Sequence, residues 1–405
     1  MYTKGMKLLT IFLSLCLFLS NLSTDYALAQ ESSHQELSFN AISKTTDTGK
    51  SILIIPMNGQ MSTDISIDAY RPHFNAIRDL NPDLIIFEMF CQDFRDEFYA
   101  KQRRGDRKEQ NGYDPDSVKD LAKLFRIELK DIPQIMWVQD SCGGSSVLTL
   151  AWPDIYMSQN AKLQGTYNLA RNWNYIDRDK PTWGKMYQAW TAHVKNVAEL
   201  GGRSIDFIMT FVDPDATASG TYDGRDVNWS KGLDGYLVFD GGPTVPNINA
   251  WDAEQFAISR ATVRNLNDIL VSEGIREYHI VGDELTESVE QYKIEWRKAL
   301  AKAIQLWEDA QLYSTWAVGE DTERYLRKQL KAFEQVLRLL KRYNAVEFRM
   351  MREHGISQDG KYGTRDLRRL IKQIEERLRQ LRDSDRRTPS GRGGGGLGGG
   401  GGVGR

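Results

Sequence analysis

The chain has 405 residues, 40% of them hydrophobic, with a net charge of −2. That supports a sizeable core in one large domain or two ordinary ones, and the near-neutral balance argues against a nucleic-acid partner. The five histidines (His34, His73, His193, His279 and His354) are scattered with no pair at helical ligand spacing, so neither a metal nor any other cofactor is expected.

The N-terminus places Lys4 and Lys7 ahead of the apolar run LLTIFLSLCLFLS, followed by Ala27-Leu28-Ala29. That is the charged, apolar and small-residue order of a secretory signal peptide over residues 1–29, with cleavage expected after Ala29. An uncleaved anchor is the alternative, and membrane association would depend on it. No later stretch approaches the ~18 apolar residues of a membrane span. The mature chain is therefore expected to be extracytoplasmic, periplasmic or secreted. Cys16 leaves with the signal, so Cys91 and Cys142 remain.

Residues 30–50 are polar and read as a disordered lead-in. SILIIPMNG (51–59) is a buried strand closed by a turn. DISIDAYRPHFNAIRDLN has helical spacing, and DLIIFEMF (83–90) is a second strand. Residues 91–115 are charged and irregular. SVKDLAKLFRIELKD is an amphipathic helix, and QIMWVQD (134–140) is a third strand. SCGGSSVLTLAWPDIYMS then gives a glycine-serine turn, an apolar helix and the strand DIYMS (154–158). Apolar strands alternating with helices predict parallel βαβ crossovers. Residues 183–204 form a helix ending at Gly201-Gly202. Residues 205–250 are rich in Asp, Gly and Asn and read as loop with short strands. WDAEQFAISRATVRNLNDILVSEG reads as two short helices joined by a turn.

From about Leu285 charged residues crowd in. Leu326, Leu330, Phe333, Leu337 and Leu340 follow 4-3-4-3 spacing, as do Leu367, Ile371, Ile374, Leu378 and Leu381. Each run is a short a/d seam. The reading is a helical hairpin or coiled-coil extension over 285–385, broken at HGISQDGKYG. The Gly-rich tail (386–405) cannot bury enough surface to fold.

The order of elements in 50–275, within an expected domain over 51–284, resembles the ClpP/crotonase superfamily, nearest to its serine-lysine peptidases of the signal peptide peptidase A and NfeD types. GKSILIIPMNGQM, DLIIFEMF, IPQIMWVQDSCGG, DIYMSQNAKLQGT with Gly165-Thr166, KMYQAWTAHVKNVAELGGRS with Gly202-Arg203, and AEQFAISRATVRNLNDIL carry the resemblance. It implies an α/β fold, a ClpP/crotonase-like ββα spiral, with a C-terminal helical extension outside the match.

The resemblance also allocates roles. Counting back from Asp154 puts the nucleophile position on Gly144, with Ser145 and Ser146 beside it. The oxyanion loop falls on Gln92-Asp93-Phe94, where an aspartate would repel a developing oxyanion. The lysine position is Lys185. Gly143 and Gly144 would supply backbone amides for an anion at the turn. Asp93, Asp96 and Glu97 are read as a solvated loop. Asp213, Asp215, Asp223 and Asp226 lack a regular calcium-ligand spacing. In the implied fold Cys91 and Cys142 end neighbouring parallel strands, so a disulfide between them is expected.

These readings give a peptidase-like protein with a degenerate site, acting as a binding or assembly module. The alternative is an active serine-lysine peptidase using Ser145 or Ser146 with Lys185. A crotonase-type acyl-CoA enzyme is disfavoured, because export removes it from CoA and the fold alone licenses no function. A homo-oligomer is expected, with a peptide or protein partner and the C-terminal helices contributing surface.

Overall fold

The structure is a computed structural model, and it describes residues 49–91, 115–165, 181–213, 215–224, 226–239, 246–353 and 363–387. The expected signal peptide, oxyanion loop (Gln92, Asp93, Phe94, with Asp96 and Glu97), Thr166 and glycine-rich tail lie outside the described residues.

In chain order the elements are β1 (Lys50–Asn58), α1 (Ile67–Tyr70), α2 (Phe74–Leu80), β2 (Leu84–Cys91), α3 (Pro115–Glu128), β3 (Gln134–Cys142), α4 (Gly144–Thr149), β4 (Ile155–Ser158), β5 (Lys162–Gln164), α5 (Pro181–Gly201) and α6 (Ile205–Thr210). Then come β6 (Ala218–Asp223), β7 (Asp226–Ser230), β8 (Leu237–Phe239), β9 (Asn247–Asn249), α7 (Ala250–Gln255), β10 (Ala261–Val263), α8 (Leu266–Ser272) and β11 (Tyr278–Val281). Four helices follow: α9 (Asp283–Trp316), α10 (Thr322–Arg342), α11 (Asn344–Glu353) and α12 (Thr364–Arg387).

The chain divides into two compact units. The first is Met1–Met57, Asn75–Gly112 and Ala122–Asp283; the second is Asn58–Phe74, Tyr113–Leu121 and Glu284–Arg405.

The first unit is mixed α/β with a sheet that is mostly parallel, the layout that alternating apolar strands and helices predict. Its strand order is β10-β4-β3-β2-β1-β11, with β5 and β9 off this path. The β2/β3, β3/β4, β3/β5, β10/β4 and β1/β11 pairs are parallel; β5/β9 is antiparallel. Consecutive β4 and β5 both lie along β3 before the chain enters α5, which is one ββα unit. Two expectations need correction. The turn between the helices of 251–274 is strand β10 at the sheet edge, and β11 was not foreseen. Both are three or four residues long, too short for period-two alternation to register.

One face of the sheet carries Ile52, Ile86, Ile135, Trp137, Tyr156 and Val263, packed with Leu266, Ile269 and Leu270 of α8. On the other face the Phe87 ring lies 4.6 Å from Phe125 of α3 and 4.9 Å from Trp152 beyond α4. Burying each such side chain contributes about 1.5–3 kcal/mol. A separate antiparallel sheet, β7-β6-β8, stacks Trp229 on Phe207 of α6 at 4.4 Å.

The C-terminal part is four helices rather than one hairpin. Leu326, Phe333 and Leu340 on α10, and Leu367, Ile371, Ile374 and Leu378 on α12, are buried, and the two helices pack together. Phe333 also meets Trp307 of α9, ring centroids 5.2 Å apart. The second unit takes in residues 58–74, which were expected to belong to the first. The reason is Asp64. Its fully buried carboxylate accepts from Gln60 N–H (2.9 Å), the Trp296 indole (3.1 Å) and the Arg297 guanidinium (3.0 and 3.2 Å). Among the described residues no helix is long and apolar enough to cross a membrane.

Candidate functional site

The glycine-serine turn closes β3 and opens α4. Gly143 sits at φ 67°, a left-handed conformation that glycine adopts without penalty, and this turns the chain sharply into the helix. All six residues of α4 are buried.

The hydroxyls at this turn are consumed locally. Ser145 Oγ donates to the Cys142 carbonyl at 2.8 Å and accepts from the Cys142 N–H at 3.1 Å. Ser141 Oγ lies 2.9 Å from Ser145 Oγ and 3.1 Å from Ser146 Oγ. All three serines are fully buried. Thr149 Oγ1, on the same short helix, is buried with no hydrogen-bond partner. The Gly143 N–H, one of two expected anion-binding amides, donates to the Gln164 carbonyl of β5 at 2.9 Å. It is therefore committed to the backbone.

Lys185 lies in the first turns of α5 and is exposed. Among the described residues no hydrogen bond joins it to Ser145 or Ser146. The end of α5 that approaches α4 is the other one. A Cβ at Gly201 would collide with the Leu150 carbonyl, and Lys185 lies sixteen residues back, about 24 Å along the helix axis. The structure brings Ser145 and Ser146 together with Ser141 and leaves Lys185 outside that group.

Just past Gly202, Arg203 clamps three separate carbonyls: Ile258 at 2.9 Å, Trp152 at 3.2 Å and Pro153 at 3.3 Å. Burial pulls its guanidinium down to about 10, with Asp154 acting in the opposite direction. The four aspartates also fail to converge. Asp213 accepts from the Tyr187 hydroxyl (2.9 Å) and the Asp215 N–H (3.0 Å), while Asp223 accepts from Asn228 (3.2 Å). Burial and the bond to Asp213 push the Tyr187 phenol up to about 12. Among the described residues no three His, Cys, Asp or Glu side chains are placed to hold a metal ion.

The expected disulfide is absent, and the strand register explains why. Cys91 and Cys142 are buried thiols that are not bonded to each other. A bulge after Met89 shifts the β2/β3 register, so Cys91 lies opposite Ser141. Successive strand residues point to opposite faces, so the next residue, Cys142, faces away from Cys91.

One polar chain was not foreseen. The Trp137 indole donates to Ser158 Oγ (3.1 Å), the Ser158 hydroxyl to Gln139 Oε1 (2.8 Å), and the Gln139 amide to Glu88 Oε1 (3.1 Å). The sequence did hold a signal, a lone carboxylate within the apolar run LIIFEMF. Burial pushes the Glu88 carboxyl above the ordinary carboxylate range, against the lowering effect of Gln139. The folded state thus holds this proton to higher pH than the unfolded chain. Ionised Glu88 costs stability above the raised pKa, and the cost vanishes as pH falls through the carboxylate range. Glu88→Gln keeps the acceptor for Gln139, so its urea midpoint at pH 7 is expected to exceed that of the parent, with the gain fading at pH 4. An equal gain at both pH values would show a packing effect instead.

No family model matches the chain, and no curated protein matches it in sequence. Among solved structures it is similar to the 1510-N membrane-bound stomatin-specific protease. A lysine-to-alanine variant of that protease with a substrate peptide shares 13% identity at a TM-score of 0.35, covering 57% of this chain and 93% of that one. A serine-to-alanine variant shares 14% identity at a TM-score of 0.35, covering 57% and 98%. The 1510-N membrane protease specific for a stomatin homolog from Pyrococcus horikoshii shares 13% at 0.33, covering 57% and 91%. At such values the likeness assigns neither a family nor an activity.

Proposed function

We propose that this is an extracytoplasmic protein with a ClpP/crotonase-type, peptidase-like domain whose serine-lysine site is degenerate, and that it works as a binding or assembly module, as a homo-oligomer. One observation carries the reading. Ser145 and Ser146 are fully buried and bonded within their own turn, while Lys185 stands exposed with no hydrogen bond to either. A serine nucleophile needs a base within hydrogen-bond reach and access to substrate. The order of elements and the ββα pairing along β3 support the fold assignment.

A fluorophosphonate probe tests it, because only an activated serine is labelled. The full chain is expected to remain unlabelled, and Gly144→Ser should not gain labelling. Ser145→Ala is expected to cost about 1–3 kcal/mol of stability, since it strands the Cys142 N–H and the neighbouring hydroxyls. Stoichiometric labelling that disappears in Lys185→Ala would establish the active serine-lysine peptidase instead.

A further inference from the structure

The small β7-β6-β8 sheet concentrates exposed aromatic surface. Tyr236 is 77% exposed, Trp251 67% and Tyr222 46%. The two tyrosines are neighbours. The Tyr222 and Tyr236 ring centroids are 5.3 Å apart, and the Tyr222 hydroxyl reaches the Gln255 carbonyl of α7 at 3.4 Å. Trp251 lies four residues before Gln255 in that short helix. The Tyr222 ring is further fixed by stacking on Phe256 at 5.5 Å. Rigid, exposed Tyr and Trp side chains are the residues that most often anchor partners.

The segment that carries this platform is acidic overall. Residues 205–258 hold nine acidic and two basic residues, a net −7 in a chain whose total is −2. Asp226 and Asp234, both exposed, flank the sheet. Among the described residues the order β7-β6-β8 places β8 at an edge, and a sheet edge is where an extended peptide adds.

We propose that this face binds an extended, arginine- or lysine-bearing peptide segment. The guanidinium or ammonium groups would lie over the Tyr222, Tyr236 and Trp251 rings and be neutralised by the surrounding carboxylates. The carboxylate excess favours a cationic partner over an acidic one, and the exposed rings favour a guanidinium that stacks over a bare point charge. This deepens the reading of the domain as a binding module and rests on it, but it uses none of the residues at the glycine-serine turn. Serine labelling would therefore overturn that reading without touching this face.

Fluorescence anisotropy of a labelled peptide of alternating arginine and glycine, titrated with the full chain, tests the proposal. The arginine peptide should bind saturably, with affinity falling as salt rises, and its glutamate counterpart should not bind. Tyr236→Ala and Trp251→Ala should each weaken binding about two- to fivefold, while Tyr236→Phe should retain it. The double variant Asp226→Asn, Asp234→Asn should flatten the salt dependence. These side chains are exposed, so folding is not at issue. No binding, equal binding of the glutamate peptide, or indifference to the aromatic variants would overturn the proposal. So would light scattering that shows self-association lost in Tyr236→Ala, which would make the occupant a second copy. Co-sedimentation with anionic vesicles that is lost in the same variant would assign the face to a membrane.

Discussion

Asp64→Ala is expected to lower the unfolding free energy by about 2–4 kcal/mol, because it leaves the buried Trp296 indole and Gln60 N–H without their acceptor and takes the counter-charge from the part-exposed Arg297. The carboxylate is fully buried and holds Gln60 N–H, the Trp296 indole and both contacts from Arg297. It sits inside the loop that residues 59–66 form. That loop is itself strained, with Ser62 at φ 67°. Its cross-bonds, Ser62 N–H to the Ile65 carbonyl and Ile65 N–H to the Gln60 carbonyl, hold the turn closed around Asp64. Urea titration of the purified variant reads the loss. Asp64→Asn should lose less, since it still accepts from the indole. If Asp64→Ala costs under ~1 kcal/mol, Asp64 is not the anchor of residues 58–74.

Arg203→Met is the second large effect, also about 3–4 kcal/mol. One guanidinium nitrogen satisfies the Trp152, Pro153 and Ile258 carbonyls, and a buried acceptor left unsatisfied costs about 1–3 kcal/mol. Methionine preserves much of the stem's packing, so the loss reports hydrogen bonds rather than a cavity. Arg203 ties the end of α4, the entry to β4 and the exit of α7 to one point. Thermal unfolding of Arg203→Met against Arg203→Lys separates the roles: all three contacts come from one nitrogen, and a lysine ammonium brings three N–H donors on a shorter stem, so lysine should recover part of the loss. Equal stability of the parent and the methionine variant would show that the clamp is idle.

The strands β1 to β4 were legible because each is an apolar run bounded by turn residues, and the 4-3-4-3 leucines marked the buried stripes of α10 and α12. What escaped the sequence was set by distant partners. Nothing local to residues 58–74 tells that Asp64 will be held by Trp296 and Arg297, more than two hundred residues later. The glycine-serine turn at 143–146 was legible as the break between β3 and α4, but its burial depends on what packs over α4. Lys185 was expected on a helix and lies on α5, whose anchoring at Gly201 only the fold decides. Strand register was equally out of reach, because one bulged residue near Gln139 changes every pairing beyond it.

That register has a consequence for the two thiols. Cys91 and Cys142 belong to separate interiors, one on each side of the sheet, and oxidation cannot staple β2 to β3 through them. The cohesion of these strands rests on side-chain packing, the backbone ladder and the Gln139–Glu88 hydrogen bond. Their integrity is therefore indifferent to the redox poise of the surroundings, a freedom that a domain cross-linked at the same edge would lack.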